Sequence, residues 1–422
     1  MDDHPLLVMV TETYPYPGPD DPFLTDEVAE LCGHAHVIVV PTVVSGTVRA
    51  HLPGNPEVDL SLAEELDHLS AGDVLRGIVS SSSAREILRH GTAGLHPRAI
   101  ATVARRRSRA RAGQTWVEQR LLPRLRGRAC IVYSWWGTAV ATGVARALAP
   151  AGVPFVCRMH GYDLYAEQER IGFVPFQSDI IANATEIWTA AHAGAQYLRA
   201  RYPNAAAPIV AMPIGSREVR VSVKQDSPSS RQVVSCSNVI PVKRLDLLAR
   251  ALSNICVRHP ELDLQWTHIG SGALLPELED LCETLPGLRG RVTLAGAMTH
   301  EEVLTWLGAH RVDVFCNVSA SEGLPVTLME AASAAIPLLA LDVGGNREVV
   351  DETNGRLLPA DCSPDDIANA LAEMLTAGPE EVAGFRHASR KRWNEHFDAR
   401  RNHAECARRL VALAQAPAPR DR

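Results

Sequence analysis

At 422 residues the chain is longer than one ordinary hydrophobic core accommodates, so two domains of roughly 200 residues are expected. A composition of 46% hydrophobic and 22% charged residues is that of a globular protein, and a net charge of −7 argues against general nucleic-acid binding. The nine cysteines are scattered and lack a CxxC pair, so neither a disulfide framework nor a zinc site is indicated, and a reducing cytoplasm fits best. No apolar run approaches membrane-spanning length, and Met1–Pro5 lacks the basic start and apolar core of a signal peptide.

In chain order, Leu6–Val10 reads as a buried opening strand. TETYPYPGPDDPF follows as a loop with four prolines and one glycine, Gly18. A helix over Leu24–Leu31 and a strand over His36–Val40 complete a parallel crossover unit, whose long loop falls at the carboxyl edge where ligands bind in such sheets. Residues 60–128 are helical and carry the chain's one basic region, ten arginines between Arg98 and Arg128. That region has two readings, a solvated helical face and a docking surface for anionic lipid headgroups. Ile131–Ser134 is a strand ending in Trp135-Trp136-Gly137, where tryptophans either stack on sugar rings or pack in the core. The next strand, Pro154–Met159, leads into the segment RMHGYDLY, with His160 followed by a glycine and by Asp163. Short strands at Glu186–Ala190 and Pro208–Met212 close a first domain of 1–218, and 219–231 has linker composition.

The second domain, 232–390, opens with a strand over Gln232–Ser237. Asn238-Val239-Ile240-Pro241-Val242-Lys243-Arg244 then brings basic side chains to a helix N-terminus, as diphosphate recognition needs. Leu264–Ile269 leads to Gly270-Ser271-Gly272, and Val292–Leu294 leads to Ala295-Gly296-Ala297-Met298. Val312–Val318 reads as a buried strand, followed by the loop Ser319–Gly323 and a helix with Pro325 as its first residue, running through Ala335 before Pro337 stops it. Leu338–Leu341 is the following strand, and Gly344 and Gly345 turn the chain near the same edge. Residues 391–422 form an amphipathic helix and a tail expected to be disordered.

The strand–loop–helix at 312–335 makes an anion site, because the N–H groups near Gly323, Leu324 and Val326 lack helical acceptors and the helix dipole adds partial positive charge. Two carboxylates, Glu322 and Glu330, frame it. A carboxylate beside a phosphate makes sense where it faces neutral hydroxyls, such as a sugar on one side and a ribose on the other.

The segment SEGLPVTLMEA, with glutamate, seven residues and glutamate, resembles the donor-site signature of the retaining glycosyltransferases of family 4. RMHGYDLY resembles that family's active-site histidine segment, and TYPYPG…PFLTDEVAEL a branch that builds bacterial extracellular polysaccharides. The resemblance implies the GT-B fold: two Rossmann-like parallel-sheet domains facing across a cleft, with the last helix crossing back to the first domain. It implies that His160, Glu322 and Lys243 are catalytic. Glu322 would contact the transferred sugar, Glu330 the ribose, and Asn238, Lys243, Arg244, Gly270, Gly272, Met298, Gly323, Leu324, Pro325 and Val326 the rest of a nucleoside-diphosphate sugar. Relatives most often have arginine where Asn238 stands, which leaves Arg244 to replace it. Gly18, Trp135, Trp136 and Asp163 are the acceptor-side candidates.

The implied activity is transfer of a sugar, with retention, to a saccharide, lipid-linked or small-molecule hydroxyl. Alternatives on the same scaffold are an epimerase, a sugar phosphorylase or a non-catalytic sugar-binding subunit. No cofactor is expected beyond the nucleotide-sugar co-substrate. No metal is expected either, since Asp20-Asp21 sits in a proline loop and Asp365-Asp366 at a helix start. The expected place is the cytoplasm, peripheral on the membrane's inner face if the basic region docks lipid.

Overall fold

The computed structural model describes residues 4–18, 21–47, 51–222 and 230–416. Most of the expected linker (223–229), Asp20 of the aspartate pair and the tail from 417 onward lie outside the described residues. The chain forms two compact units, 1–212 with 403–422, and 213–402. The divisions fall at Met212–Pro213 and Asn402–His403, where the sequence and the resemblance place them at 218 and 391. Packing explains the difference: Val219, Trp393 and Phe397 are all buried in the second unit's core. Trp393 Nε1 also donates to Ser216 Oγ at 2.9 Å.

The first unit is a seven-stranded parallel sheet of β1 (Leu6–Thr11), β2 (His36–Pro41), β3 (Glu57–Val58), β4 (Cys130–Ser134), β5 (Phe155–Met159), β6 (Glu186–Thr189) and β7 (Ile209–Ala211). Its order is β3-β2-β1-β4-β5-β6-β7, with Leu6 of β1 in register with both His36 and Cys130. Every residue of β1, β4 and β5 is buried, as expected of a parallel sheet covered on both faces. The two-residue β3 was not anticipated, because so short a strand carries no periodicity. Residues 61–125 form a succession of helices, the longest being Pro97–Trp116, with Pro97 in the first turn where its missing N–H costs nothing.

The second unit is a six-stranded parallel sheet of β8 (Ser230–Cys236), β9 (Asp263–Ile269), β10 (Val292–Leu294), β11 (Val314–Asn317), β12 (Leu338–Leu341) and β13 (Gly355–Leu358), in the order β10-β9-β8-β11-β12-β13. The strand period of two divides its core between the faces. Val233, Cys316 and Leu339 pack into one cluster with Leu248 and Leu371, while Val234, Phe315 and Leu338 pack into the other with Leu328 and Met329.

Two boundaries differ from the sequence expectation. Pro325 caps the helix Val326–Ser333 with an extended ψ of 108° instead of opening it. The helix ends before Ala335, which takes a φ of +57° and reverses the chain toward β12. Among the described residues no helix is long and apolar enough to cross a membrane.

Candidate active site

Each sheet reverses its direction of winding once, between β1 and β4 and between β8 and β11. At such a switch the loops leave the strand ends in opposite directions and open a crevice, so these are the places to look for a ligand.

At the second switch, the loop after β8 carries Lys243 and the loop after β11 carries Glu322. Lys243 Nζ lies 2.7 Å from Glu322 Oε1, and Asn317 Nδ2 donates to the same oxygen at 3.1 Å. The loops are tied through their backbones, with Ala320 N donating to Val242 O at 2.8 Å, and Asn317 Oδ1 steadies its own loop by accepting from Ser319 N at 3.1 Å. Gly344 locks the far side. Its φ is +51°, and a Cβ there would stand 1.8 Å from the Glu322 carbonyl oxygen, while Gly345 N donates to Gly323 O at 2.8 Å. Gly323, Leu324 and Val326 are half-buried and Pro325 is buried at the helix start, where free N–H groups favour an anion.

Glu330, one turn into that helix, is 1% exposed. Its Oε1 lies 2.6 Å from Nε2 of His300. Burial first, and then the nearby Glu330 charge, push the Cys236 thiol at the end of β8 up to about 12, with Lys243 opposing them. The two glutamate clusters therefore both act on one strand end.

The remaining donor-side candidates take different places. Gly270 and Gly272 are required by backbone approach: a Cβ on either would meet Ser237 O at 1.8 Å or Val239 O at 2.4 Å. These contacts seat the 270–272 turn on the loop that holds the exposed Asn238, and Gly270 N donates to Gly296 O at 2.8 Å. Met298 is half-buried against the second unit's core. Arg244 has φ +50° and sends Nη1 to Ala360 O at 2.9 Å, so its guanidinium is engaged by the chain itself.

In the first unit, Asp163 is fully buried and joins two loops. Its Oδ1 accepts from His160 N at 2.8 Å and Gly161 N at 3.1 Å, and Oδ2 accepts from Gly137 N at 2.8 Å. Burial pushes it up to about 6 against the lowering effect of those N–H donors. It is a brace, which corrects its assignment as an acceptor contact. His160 Nε2 lies 2.9 Å from the Trp135 carbonyl. A carbonyl only accepts, so Nε2 carries the proton and Nδ1 the lone pair. Burial first, and then the Arg158 charge, push His160 down to about 3, which keeps the ring neutral at ordinary pH.

Trp135 is also corrected. It is buried, with the Arg158 guanidinium 4.8 Å from its ring, and offers no face to a sugar. Arg158 in turn pairs with the buried Glu27 at 2.9 Å. Trp136 is half-buried, 4.5 Å from the His160 ring and stacked on Tyr162 at 5.1 Å. Gly18 lies in the loop after β1, where a Cβ would meet Thr13 Oγ1 at 2.3 Å.

Asn317, His300, Tyr162 and the Glu27–Arg158 pair escaped sequence reasoning. Asn317 left a trace as the single polar residue closing the apolar run VFCN, and Arg158 and Tyr162 lie within RMHGYDLY, but none of their partners was marked. Among the described residues no group of three or more His, Cys, Asp or Glu is arranged to hold a metal, and Asp366 is used to cap its helix with Ser363. Part of the basic stretch is spent internally: Arg106 pairs with Glu169, Arg107 Nε donates to Ser82 Oγ at 2.7 Å, and Arg124 meets Glu57 and Asp59 at 2.6 Å each.

Two doubly wound parallel sheets, each with polar loops at its switch point, define a two-domain α/β protein of the GT-B class. Solved structures agree on the fold. The lipopolysaccharide outer core galactosyltransferase WaaB in its apo form matches with a TM-score of 0.65 at 14% identity, over 97% of this chain and 100% of that one. Anabaena HepE in complex with UDP-glucose matches at 0.62 and 16%, over 96% and 99%.

Residues 230–377, which lie within the second unit, match the family model described as Glycosyl transferases group 1. Among curated relatives, a GDP-mannose-dependent α-(1-6)-phosphatidylinositol monomannoside mannosyltransferase of Mycobacterium tuberculosis is 32% identical over 160 residues, 36% of this chain and 40% of that protein. The O-antigen biosynthesis glycosyltransferase WbnH of Escherichia coli is 36% identical over 136 residues, 32% of this chain and 34% of that protein. These matches span well under half the length of either relative.

Proposed function

We propose that the protein is a metal-independent, retaining glycosyltransferase that moves a sugar from a nucleoside-diphosphate donor to a hydroxyl group. The observation that carries this reading is the cluster of Lys243, Glu322 and Asn317, held within 2.7 and 3.1 Å beside the start of helix Val326–Ser333. Glycosyl transfer breaks the bond between the anomeric carbon and the diphosphate oxygen, and the electron pair leaves with the diphosphate. The acceptor oxygen bonds the same carbon, and its proton passes to the departing diphosphate. Lys243 and the helix N-terminus stabilise the charge that grows on the leaving group. Glu322 orients the sugar through its hydroxyls, Glu330 takes the ribose, and His160 offers a neutral ring acceptor for a hydroxyl. The UDP-glucose held by HepE and the GDP-mannose in the mycobacterial relative's name support the donor class.

A thermal-shift screen of nucleotide sugars, followed by NMR assignment of the product's anomeric configuration, tests the reading. Turnover with retention is expected. Phosphate-dependent turnover, or epimerisation without transfer, would replace it with one of the other activities this scaffold supports.

For the acceptor we propose a lipid-linked saccharide met at the cytoplasmic membrane surface, in keeping with the phosphatidylinositol and O-antigen in the relatives' names. Supporting this, Leu75 and Ile78 of helix Ala71–Ile78 and the 83% exposed Val79 that follows it are exposed apolar residues, and Leu88 is 72% exposed on helix Ser81–Arg89. Sedimentation with phosphatidylglycerol vesicles should pull the protein down, less so at high salt, and Val79→Glu should weaken it. Equal recovery with and without vesicles would refute the membrane part alone.

A further inference from the structure

Glu330 is the most deeply buried acid of the donor region, and its one side-chain hydrogen bond among the described residues is to His300. A carboxylate taken out of water needs a donor, and His300 Nε2 supplies it at 2.6 Å. The backbone fixes where that donor stands. His300 is the first residue of helix His300–Ala309, whose start is closed by a capping box between Thr299 and Glu302. Thr299 Oγ1 accepts from Glu302 N, and the Glu302 carboxylate accepts from Thr299 N at 2.7 Å. Just upstream, the Gly296 carbonyl is held by Gly270 N. The imidazole therefore approaches Glu330 from a rigid turn.

That contact has a consequence for what the glutamate can read. A carboxylate has two oxygens and about four acceptor directions, and His300 occupies one of them on Oε1. Oε2 and the remaining direction on Oε1 are left for hydroxyl donors. The carboxylate is held in one rotation, with both oxygens at defined places, which suits a vicinal pair of hydroxyls better than a single one. A buried charged acceptor left one hydroxyl short is penalised, because water does not readily replace the missing donor.

We propose that His300, by fixing Glu330, is the positioning residue that makes the donor site select ribonucleoside over 2′-deoxyribonucleoside diphosphates. This rests on the donor-site reading above and narrows it to donors built on a ribose diol.

The test is calorimetric binding of UDP and 2′-deoxy-UDP, and of GDP and 2′-deoxy-GDP, to the wild-type chain, His300→Ala and His300→Gln. Wild type is expected to prefer one ribonucleotide over its deoxy form by about tenfold or more, the usual worth of one hydrogen bond to a charged group. His300→Ala should lose most of that preference by weakening the ribonucleotide while leaving the deoxynucleotide nearly unchanged. His300→Gln, which retains an N–H donor, should recover part of it. An alanine variant that weakens both forms equally shows a structural role and overturns the proposal, as does an unchanged preference. Wild-type protein that binds the pair without discrimination also overturns it, and the donor reading survives. Wild-type protein that binds neither diphosphate overturns the donor reading, and the role of His300 with it.

Discussion

Replacing Lys243 with methionine separates the fold from the chemistry. Lys243 and Glu322 are 21% and 11% exposed, between a surface pair and a buried one. Surface pairs contribute up to about 1 kcal/mol, and breaking a buried pair costs about 3–5 kcal/mol, so Lys243→Met should cost about 1–3 kcal/mol of stability. A domain with about 5–15 kcal/mol in hand stays folded after that loss. The effect on turnover should be larger. Removing one preorganised donor from a developing anion costs about 3–4 kcal/mol, or about 100- to 1000-fold in kcat. The assay pairs donor turnover with thermal melting for Lys243→Met, Glu322→Gln and the double variant. The double variant should regain part of the lost stability, since no unpaired carboxylate is left behind, and should remain inactive. Turnover of Lys243→Met within a few-fold of wild type, in a folded protein, would refute the role given to this lysine.

Gly344→Ala should lower stability by more than about 1 kcal/mol, since the residue has φ +51° and a Cβ would press the Glu322 carbonyl. Donor affinity should fall with it, and an unchanged melting temperature and affinity would show that the loop yields freely. His160 predicts a pH effect with a definite sign. Its folded value, pushed down to about 3 by burial and Arg158, lies below the ordinary 6.5, so the unfolded chain binds the extra proton between those limits. Stability due to this residue is present above about pH 6.5 and lost as pH falls toward 3. Asp163, raised to about 6 by burial, works the other way between about pH 4 and 6. The difference in unfolding free energy between wild type and His160→Asn isolates the histidine, and should grow with pH up to about 6.5 and then level off. Finally, turnover should survive exhaustive chelation with EDTA; loss restored by a divalent ion would contradict metal independence.

Much of this architecture was legible because the signals are local. Apolar runs such as LLVMV, HVIVV and VFCNV are what a doubly covered parallel sheet demands, and each is followed by the loop that reaches the carboxyl edge. The loops carrying Lys243, Glu322 and His160 were found for the same reason. Their side chains were harder to place. Trp135 and Trp136 are adjacent in the bend after β4, yet only one ring is buried: Trp135 packs against the Arg158 guanidinium, while the half-buried Trp136 stacks on Tyr162. Arg244 stood as the replacement for an arginine expected at Asn238, but its left-handed backbone turns the side chain to Ala360. The histidine that holds Glu330 begins an ordinary amphipathic helix and carries no mark of its partner.

Residue order alone determined the strands, the crossover units that make the sheets parallel and the loops at their carboxyl ends, since strand period, helix starts and turn residues are properties of a few neighbours. Which groups touch was decided in three dimensions. Lys243 and Glu322 stand 79 residues apart, and His300 and Glu330 stand 30 apart. Only the packing of β11 beside β8, and of helix His300–Ala309 near helix Val326–Ser333, brings each cation or ring to its carboxylate. The partners that each buried carboxylate finds then separate the roles: backbone N–H groups occupy both oxygens of Asp163, which braces two loops, while Glu330 is held by His300 at one oxygen.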